Sequence, residues 1–561
     1  MTPQLHHSIS ALVLLALIGG QALAQSASDA RFNRFDKNAD GKLTADELPY
    51  PVVFKQLDTD GDGKLSPQEA EKIPSARAKP APPSPPAAPS RTASPSAPLP
   101  ESSVPRNDSA ATPLARLAFT QDYFPGTRDA NGRFLGGTEA LWLAGHEGKL
   151  FAAIGYAVDR PGDDPKPGAQ IIRKDAPDAP WVVDHGFGPN YLRVESLLPF
   201  TFTTDATGQP LAKPVRRLIA SPSELASRTA MNSVFVRDDA TGRWVRSDIA
   251  PGNFGARSIG SHVDKITGVH HIFVGLNRGG IHRGSYDPAA PGGIRWEAES
   301  ERPVSTHKSR VLCFAVCNGD LHMAARQDDR ADGQIVDGGL YRRVDGPKPE
   351  WKLVNRWPID LEILQSRFLR GLTAVPDPQG GMGEVLIAGF EYPGTIVRFN
   401  PSRSDGKNEV AAELEIDIKD YFNTAWNTPT ARRRGAIAAY NRFLPVTDPR
   451  TGEPLWLCGA WVERPGSPNP PHNGSCYLIR HRNGRYDWGY ICDPAHPIAA
   501  GRKLTGCRDI EPSPFKGEEG CVFYFAGYDG GAGPGHNTAW IYRGEVPKPS
   551  NTNTRQKGRP P

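Results

Sequence analysis

Two clusters of oxygen-bearing side chains begin 22 positions apart: Asp36, Asn38, Asp40 and Glu47, then Asp58, Asp60, Asp62 and Glu69. In each, three short polar side chains alternate along the chain, a glycine follows (Gly41, Gly63), and a glutamate closes the set eleven residues after its start. Alternation turns several oxygens towards one point, and glycine permits the sharp turn that brings the glutamate round. Thr44 and Ser66 place hydroxyls where a bridging water is held, and Lys42 and Lys64 stand where only a backbone carbonyl is needed. Such a set suits a hard cation that takes six to eight oxygen ligands.

Both segments, Asp36–Glu47 and Asp58–Glu69, resemble the twelve-position loop of the EF-hand calcium-binding family. The resemblance implies calcium as the cofactor. Its ligands would be Asp36, Asn38, Asp40, Lys42, Thr44 and Glu47, and Asp58, Asp60, Asp62, Lys64, Ser66 and Glu69. Leu43 and Leu65, at the eighth positions, are expected to pack the two loops together. Only residues 48–57 separate them, with Pro49 and Pro51 inside, which allows one short shared helix. Calcium-stabilised folding of a small α-helical module at 25–73 is therefore expected over a groove that opens on signalling.

A second constellation lies further along. Arg193, Arg257, Arg310, Arg370 and Arg434 each precede a short apolar run, with Lys503 in the sixth corresponding place. Facing a common axis, they would form a cationic ring for a carboxylate, sulfate or phosphate; the competing reading is bonding to backbone carbonyls between repeats. Six histidines (His262, His270, His271, His282, His307, His322) and the carboxylate pairs Asp509 with Glu511 and Glu195 with Asp264 are the other candidates for chemistry. His270 and His271 are successive strand residues and should point to opposite faces. No metalloprotease, nucleophile-elbow or phosphate-loop motif occurs.

The elements that would position these groups repeat. From 114 to 546 the chain reads as short apolar strands bounded by Gly, Pro, Asn and Asp. A strand ending in arginine recurs seven times, at Arg173, Arg237, Arg283, Arg342, Arg398, Arg480 and Arg543, spaced by 46 to 82 residues. Five copies are followed by a turn and a tryptophan strand: Trp181, Trp244, Trp296, Trp351 and Trp488. A unit of about four strands cannot bury both faces alone, so radial stacking is the physical solution. The expected fold class is mainly β, a β-propeller of about seven blades. The last copy lacks an outer strand, which residues 114–121 can supply. The Arg237–Trp244 hairpin resembles a degenerate Asp-box hairpin of sialidase-like propellers, which implies fold and not activity. The strand-end arginines and the tryptophans read as scaffold.

The rest of the chain bounds the setting. Residues 1–24, with an apolar run from Ala11 to Ala24, read as a signal peptide. Residues 74–113 hold 12 prolines in 40 positions and no aromatic, too little apolar surface to order themselves, so they read as a disordered tether. Residues 547–561 read as a disordered tail. A formal net charge of +4 over 561 residues gives no nucleic-acid or membrane signal. The seven cysteines lie between Cys313 and Cys521; in an exported protein that favours disulfides, with Cys458–Cys476 and Cys507–Cys521 as candidate pairs. Two functions remain open: a non-catalytic exported calcium-binding protein whose propeller binds a protein, glycan or small anion, and a propeller hydrolase or lyase acting on an anionic saccharide or small ester.

Overall fold

A computed structural model describes residues 42–44, 60, 62–66, 112–156, 168–224, 231–252, 255–277, 280–302, 309–327, 338–356, 369–390, 394–425, 436–438, 441–462, 475–495, 504–529 and 537–547. The expected signal peptide, almost all of the tether and tail, and the helices flanking the calcium loops fall outside these residues. The chain divides into two compact units, 1–100 and 101–561.

In the first unit, Leu43–Thr44 and Lys64–Leu65 form a two-stranded antiparallel sheet that pairs Leu43 with Leu65. Both leucines are fully buried. Their apolar side chains join two otherwise hydrophilic loops, and Gly63 takes the left-handed conformation (φ +78°) at the turn.

The second unit is mainly β. Four sheets follow one another as four-stranded antiparallel meanders, over 191–251, 256–296, 309–356 and 369–417. A five-stranded sheet spans 436–490; in it Ala436–Ala438 and Leu444–Thr447 both pair with Pro454–Val462. An eight-stranded sheet joins the strands of 139–188 to those of 505–545 through one residue pair, Tyr528 with Glu139. Its edge strand, Ala118–Tyr123, comes from the start of the unit and lies against Ala539–Glu545 near its end.

No sheet has a core to itself. Phe151 and Ile171 of one sheet pack with Leu218 and Phe235 of the next. Phe202 and Ile219 meet Ile272 and Val274. The pattern continues until Leu143 and Ile154 pack with Tyr524 and Ile541. First strands are neighbours too: Glu139–His146 packs on Tyr191–Thr204, Ala256–Val263 on Ser309–Cys317, and Thr505–Pro512 back on Glu139–His146. This is the stacking of a β-propeller.

In four copies a cation at the strand end locks sheet to sheet. Arg237 and Trp244, directly opposite across a hairpin, both reach Asp184 of the preceding sheet, at 3.1 Å from Nε and 2.7 Å from Nε1. Arg343 and Trp351 hold Glu301 in the same way, at 2.8 and 2.9 Å. Arg480 and Tyr486 hold Glu415 at 2.7 and 2.6 Å. Lys174 and Trp181 hold Asp122 of the returning edge strand. The scaffold reading holds at Arg237 and Arg480, with the clamp shifted by one residue in two copies; in the first, Lys174 takes the place of Arg173. In the fourth copy the clamping residue is Arg343, because alternation along the strand turns its neighbour Arg342 outwards to Glu409.

The expected disulfides are not formed: all seven cysteines are free thiols. Cys458 stands opposite Leu478 and Cys476 opposite Ala460, so the two are diagonal neighbours and not a cross-strand pair. Cys507 is buried and Cys521 exposed.

Candidate functional site

Beside the starts of the first strands lies a cavity of about 310 Å³. Arg193, Arg257 and Arg370 line it, and so do Arg442 and Arg508. Arg310 stands at the matching place in its strand and is close enough to act on the charge of Arg257. Arg434 and Lys503 lie outside the described residues.

The local backbone explains why these side chains turn inwards. Six of the first strands carry a bulge near the start, which inserts a residue into the ladder and re-aims it. Leu141, Glu195, Arg257, Leu312 and Arg508 are such inserted residues. All five line the cavity. The second strands supply glycines where the next sheet crowds in. A Cβ on Gly155 would lie 2.4 Å from Cβ of Arg193, and one on Gly459 would lie 2.1 Å from the carbonyl oxygen of Cys507.

Charges alternate along one wall. Arg508 Nη2 contacts Glu139 Oε1 at 3.0 Å, and Glu139 Oε2 lies 3.4 Å from Arg193 Nη1. Arg193 Nε contacts Glu195 at 2.8 Å, and the other oxygen of Glu195 lies 2.7 Å from Arg257 Nη1. Glu195 is the one acidic lining residue among those described. Burial by itself would raise the Glu195 carboxyl, but Arg193 and Arg257 overcome it and hold the group at about 2. Arg257 goes the other way. Burial, then the guanidinium groups of Arg370, Arg193 and Arg310, push it down to about 9 against the attraction of Glu195. Arg193 keeps a raised value because it has two carboxylates, Glu195 and Glu139, to offset its burial.

The other candidates do not converge here. Asp509 and Glu511 do come together, on Arg442, but they sit behind it. The Asp509 side chain is fully buried, accepts the Leu143 N–H at 2.9 Å, and is pushed up by burial against the pull of Arg442. Glu195 and Asp264 are separated: Asp264 is bound to Arg343 at 2.8 Å. His262 bonds Asp345 at 2.8 Å at the end of its strand opposite Arg257, and faces His271 across the sheet. His270 turns away to Thr203. Burial pushes His271 and His322 down to about 4, which keeps both neutral. His282 is buried as well, and His307 lies outside the described residues. Cys313 lines the cavity, but burial raises its thiol to about 12, too high for a nucleophilic thiolate.

Sequence reasoning missed Arg442, Arg508 and the central place of Glu195. Arg442 carried the same cue as Arg370, an arginine before a short apolar run. Arg508 and Glu195 are brought in by bulges, which leave no periodic signal.

In the first unit, Asp62 Oδ1 accepts the Lys64 N–H at 2.8 Å, and Asp60 Oδ1 accepts the Asp62 N–H at 3.1 Å. These side chain-to-backbone bonds fold the chain through the turn at Gly63. Thr44 and Ser66 follow the paired leucines in the two loops. Lys42 reaches across to Asp62 Oδ2 at 3.1 Å. Asp36, Asn38, Asp40, Glu47, Asp58 and Glu69 lie outside the described residues, among which no three His, Cys, Asp or Glu side chains are grouped to hold a metal. The turn at Gly63 and the loop pairing fit calcium, which would supply the charge that lets clustered carboxylates coexist.

The unit around Gly63 is an EF-hand pair: residues 29–48 and 52–72 each match the EF hand family model. No curated protein matches the sequence. Among solved structures, the chain is similar to a putative exo-beta-1,3-galactanase from Bifidobacterium bifidum s17 (15% identity, 53% of this chain and 97% of that one, TM-score 0.28). It is also similar to the GH74 enzyme of Niastella koreensis (12% identity, 74% and 55%, TM-score 0.38). A third is an alpha-L-arabinanase of Penicillium chrysogenum complexed with arabinobiose (11% identity, 77% and 98%, TM-score 0.34). Among the described residues, no helix is long and apolar enough to cross a membrane.

Proposed function

We propose that this is an exported calcium-binding protein whose EF-hand pair is tethered, through residues 74–113, to a seven-bladed β-propeller that holds an anionic ligand in its cavity. The blade count follows from reading the eight-stranded sheet as two four-stranded blades that touch at Tyr528 and Glu139. Ala118–Tyr123 is then the fourth strand of the last blade. Export rests on the apolar run Ala11–Ala24.

The observation that carries the ligand reading is Arg257. Its charge is disfavoured by burial and by three neighbouring guanidinium groups, and an anion beside it would relieve all of these at once. The same wall speaks for binding over hydrolysis. General acid–base chemistry needs a carboxyl that titrates near working pH and reaches the ligand. Glu195 reaches the cavity but is ionised throughout; Asp509 is raised but walled off behind Arg442.

The test is a titration of the full chain with sulfate, with and without calcium, followed by calorimetry and circular dichroism. Calcium should raise the helical signal and the melting temperature of the N-terminal unit. Sulfate should bind, and Arg257→Met should weaken it at least about tenfold while leaving the calcium response intact. Absence of any calcium response would reject the EF-hand function, and equal sulfate binding by Arg257→Met would reject the cavity.

A further inference from the structure

The arginines are only one part of the cavity lining. Further along the strands that carry Arg193, Arg257, Arg310 and Arg370, the lining continues with Leu198, Ile259, Leu312, Phe314 and Leu372. Phe314 is held there by its neighbours. Its ring is 6.2 Å from Trp351 and 6.3 Å from Phe273. Gly260 makes room for it, since a Cβ at that position would lie 2.5 Å from Cβ of Phe314. The neutral polar groups of the lining are largely turned to the scaffold. Ser196 Oγ donates to the Arg257 carbonyl at 3.3 Å, Ser258 Oγ donates to the Val311 carbonyl at 3.0 Å, and the Asn441 amide donates to the Leu141 carbonyl.

A sugar presents many hydroxyls, each of which must find a donor or acceptor when it is buried. This lining offers guanidinium groups at the strand starts and hydrocarbon further along the same strands, with few neutral partners. We infer that the ligand is an amphipathic organic anion, a carboxylate or sulfonate carrying an apolar or aromatic body, and not a neutral glycan. The anionic head sits between Arg257 and Arg370, and the body lies against Phe314 and Leu312. The size agrees: a cavity of roughly 150 Å³ holds a benzene ring, so about 310 Å³ admits a ring and a charged arm. The inference rests on the cavity being the anion site and narrows what that site takes.

Calorimetry on the full chain with phenylacetate, acetate, sulfate and cellobiose tests it. Phenylacetate should bind at least about tenfold tighter than acetate, because burying a ring stabilises far more than burying a methyl group. Phe314→Ala should remove most of that difference and leave acetate unchanged; if that variant does not fold, Phe314→Leu carries the comparison. Acetate or sulfate binding as tightly as phenylacetate would overturn the amphipathic ligand while leaving the anion site standing. Cellobiose binding more tightly than every anion would overturn both readings.

Discussion

Two sets of arginines, each repeated around the same domain, have opposite electrostatic fates. At the strand ends, Arg343 is fully buried yet keeps its charge firmly: burial opposes it, and Glu301 and Asp264 more than compensate. At the strand starts, Arg257 is equally enclosed, shares one carboxylate with Arg193, and has its charge pushed down. Residue type and repetition are the same. What differs is the number of carboxylates each guanidinium can claim. Where acids match the arginines the result is scaffold, and where they run short the result is a place for an anion from outside.

The largest test of that contrast is Arg343→Met. It leaves Asp264, Asp345 and Glu301 buried around a missing cation. Loss of one partner from a buried ion pair costs about 3–5 kcal/mol, so denaturant unfolding should show a loss of that size, well above that of Arg257→Met. Similar losses for the two variants would break the distinction between clamp and cavity.

Acid should come next. Glu195 is held at about 2, below the 4.5 of an ordinary glutamate. Its pairing therefore contributes fully above pH 4.5 and fades as pH falls towards 2, a loss of roughly 3 kcal/mol. Glu195→Gln should flatten the pH dependence of stability in that window and strengthen sulfate binding. An unchanged acid profile would remove Glu195 from its place between Arg193 and Arg257.

The smallest effect is Trp244→Phe, which deletes the Nε1–H bond to Asp184 but leaves Arg237 on the same carboxylate. A loss of about 1 kcal/mol is expected, with no change in anion affinity. A change in affinity would mean that clamp and cavity are coupled.

Much of this was legible in the chain. The two oxygen-rich loops are local, so spacing alone located them, and the Leu43–Leu65 pairing followed from the eighth position. The repeated Arg and Trp strands exposed the stacked sheets because several repeats make the same contacts with a neighbour. The edge strand Ala118–Tyr123 was also foreshadowed, since the last repeat was one strand short. Other features were hidden. The cysteine spacing favoured bridges, but strand register set Cys458 diagonal to Cys476. Asp264 was read as a partner for Glu195, yet each went to the arginine nearest in space.

The sequence by itself determined the calcium loops, the repeating four-stranded unit and the scaffold role of Arg237 and Arg480, because those depend on neighbours a few residues away or one repeat along. Only the tertiary structure decided which charges share the cavity. Bulges turn Glu195, Arg257 and Arg508 inwards, and stacking brings together strands hundreds of residues apart. The balance of charge in a buried space depends on that assembly, and no local pattern records it.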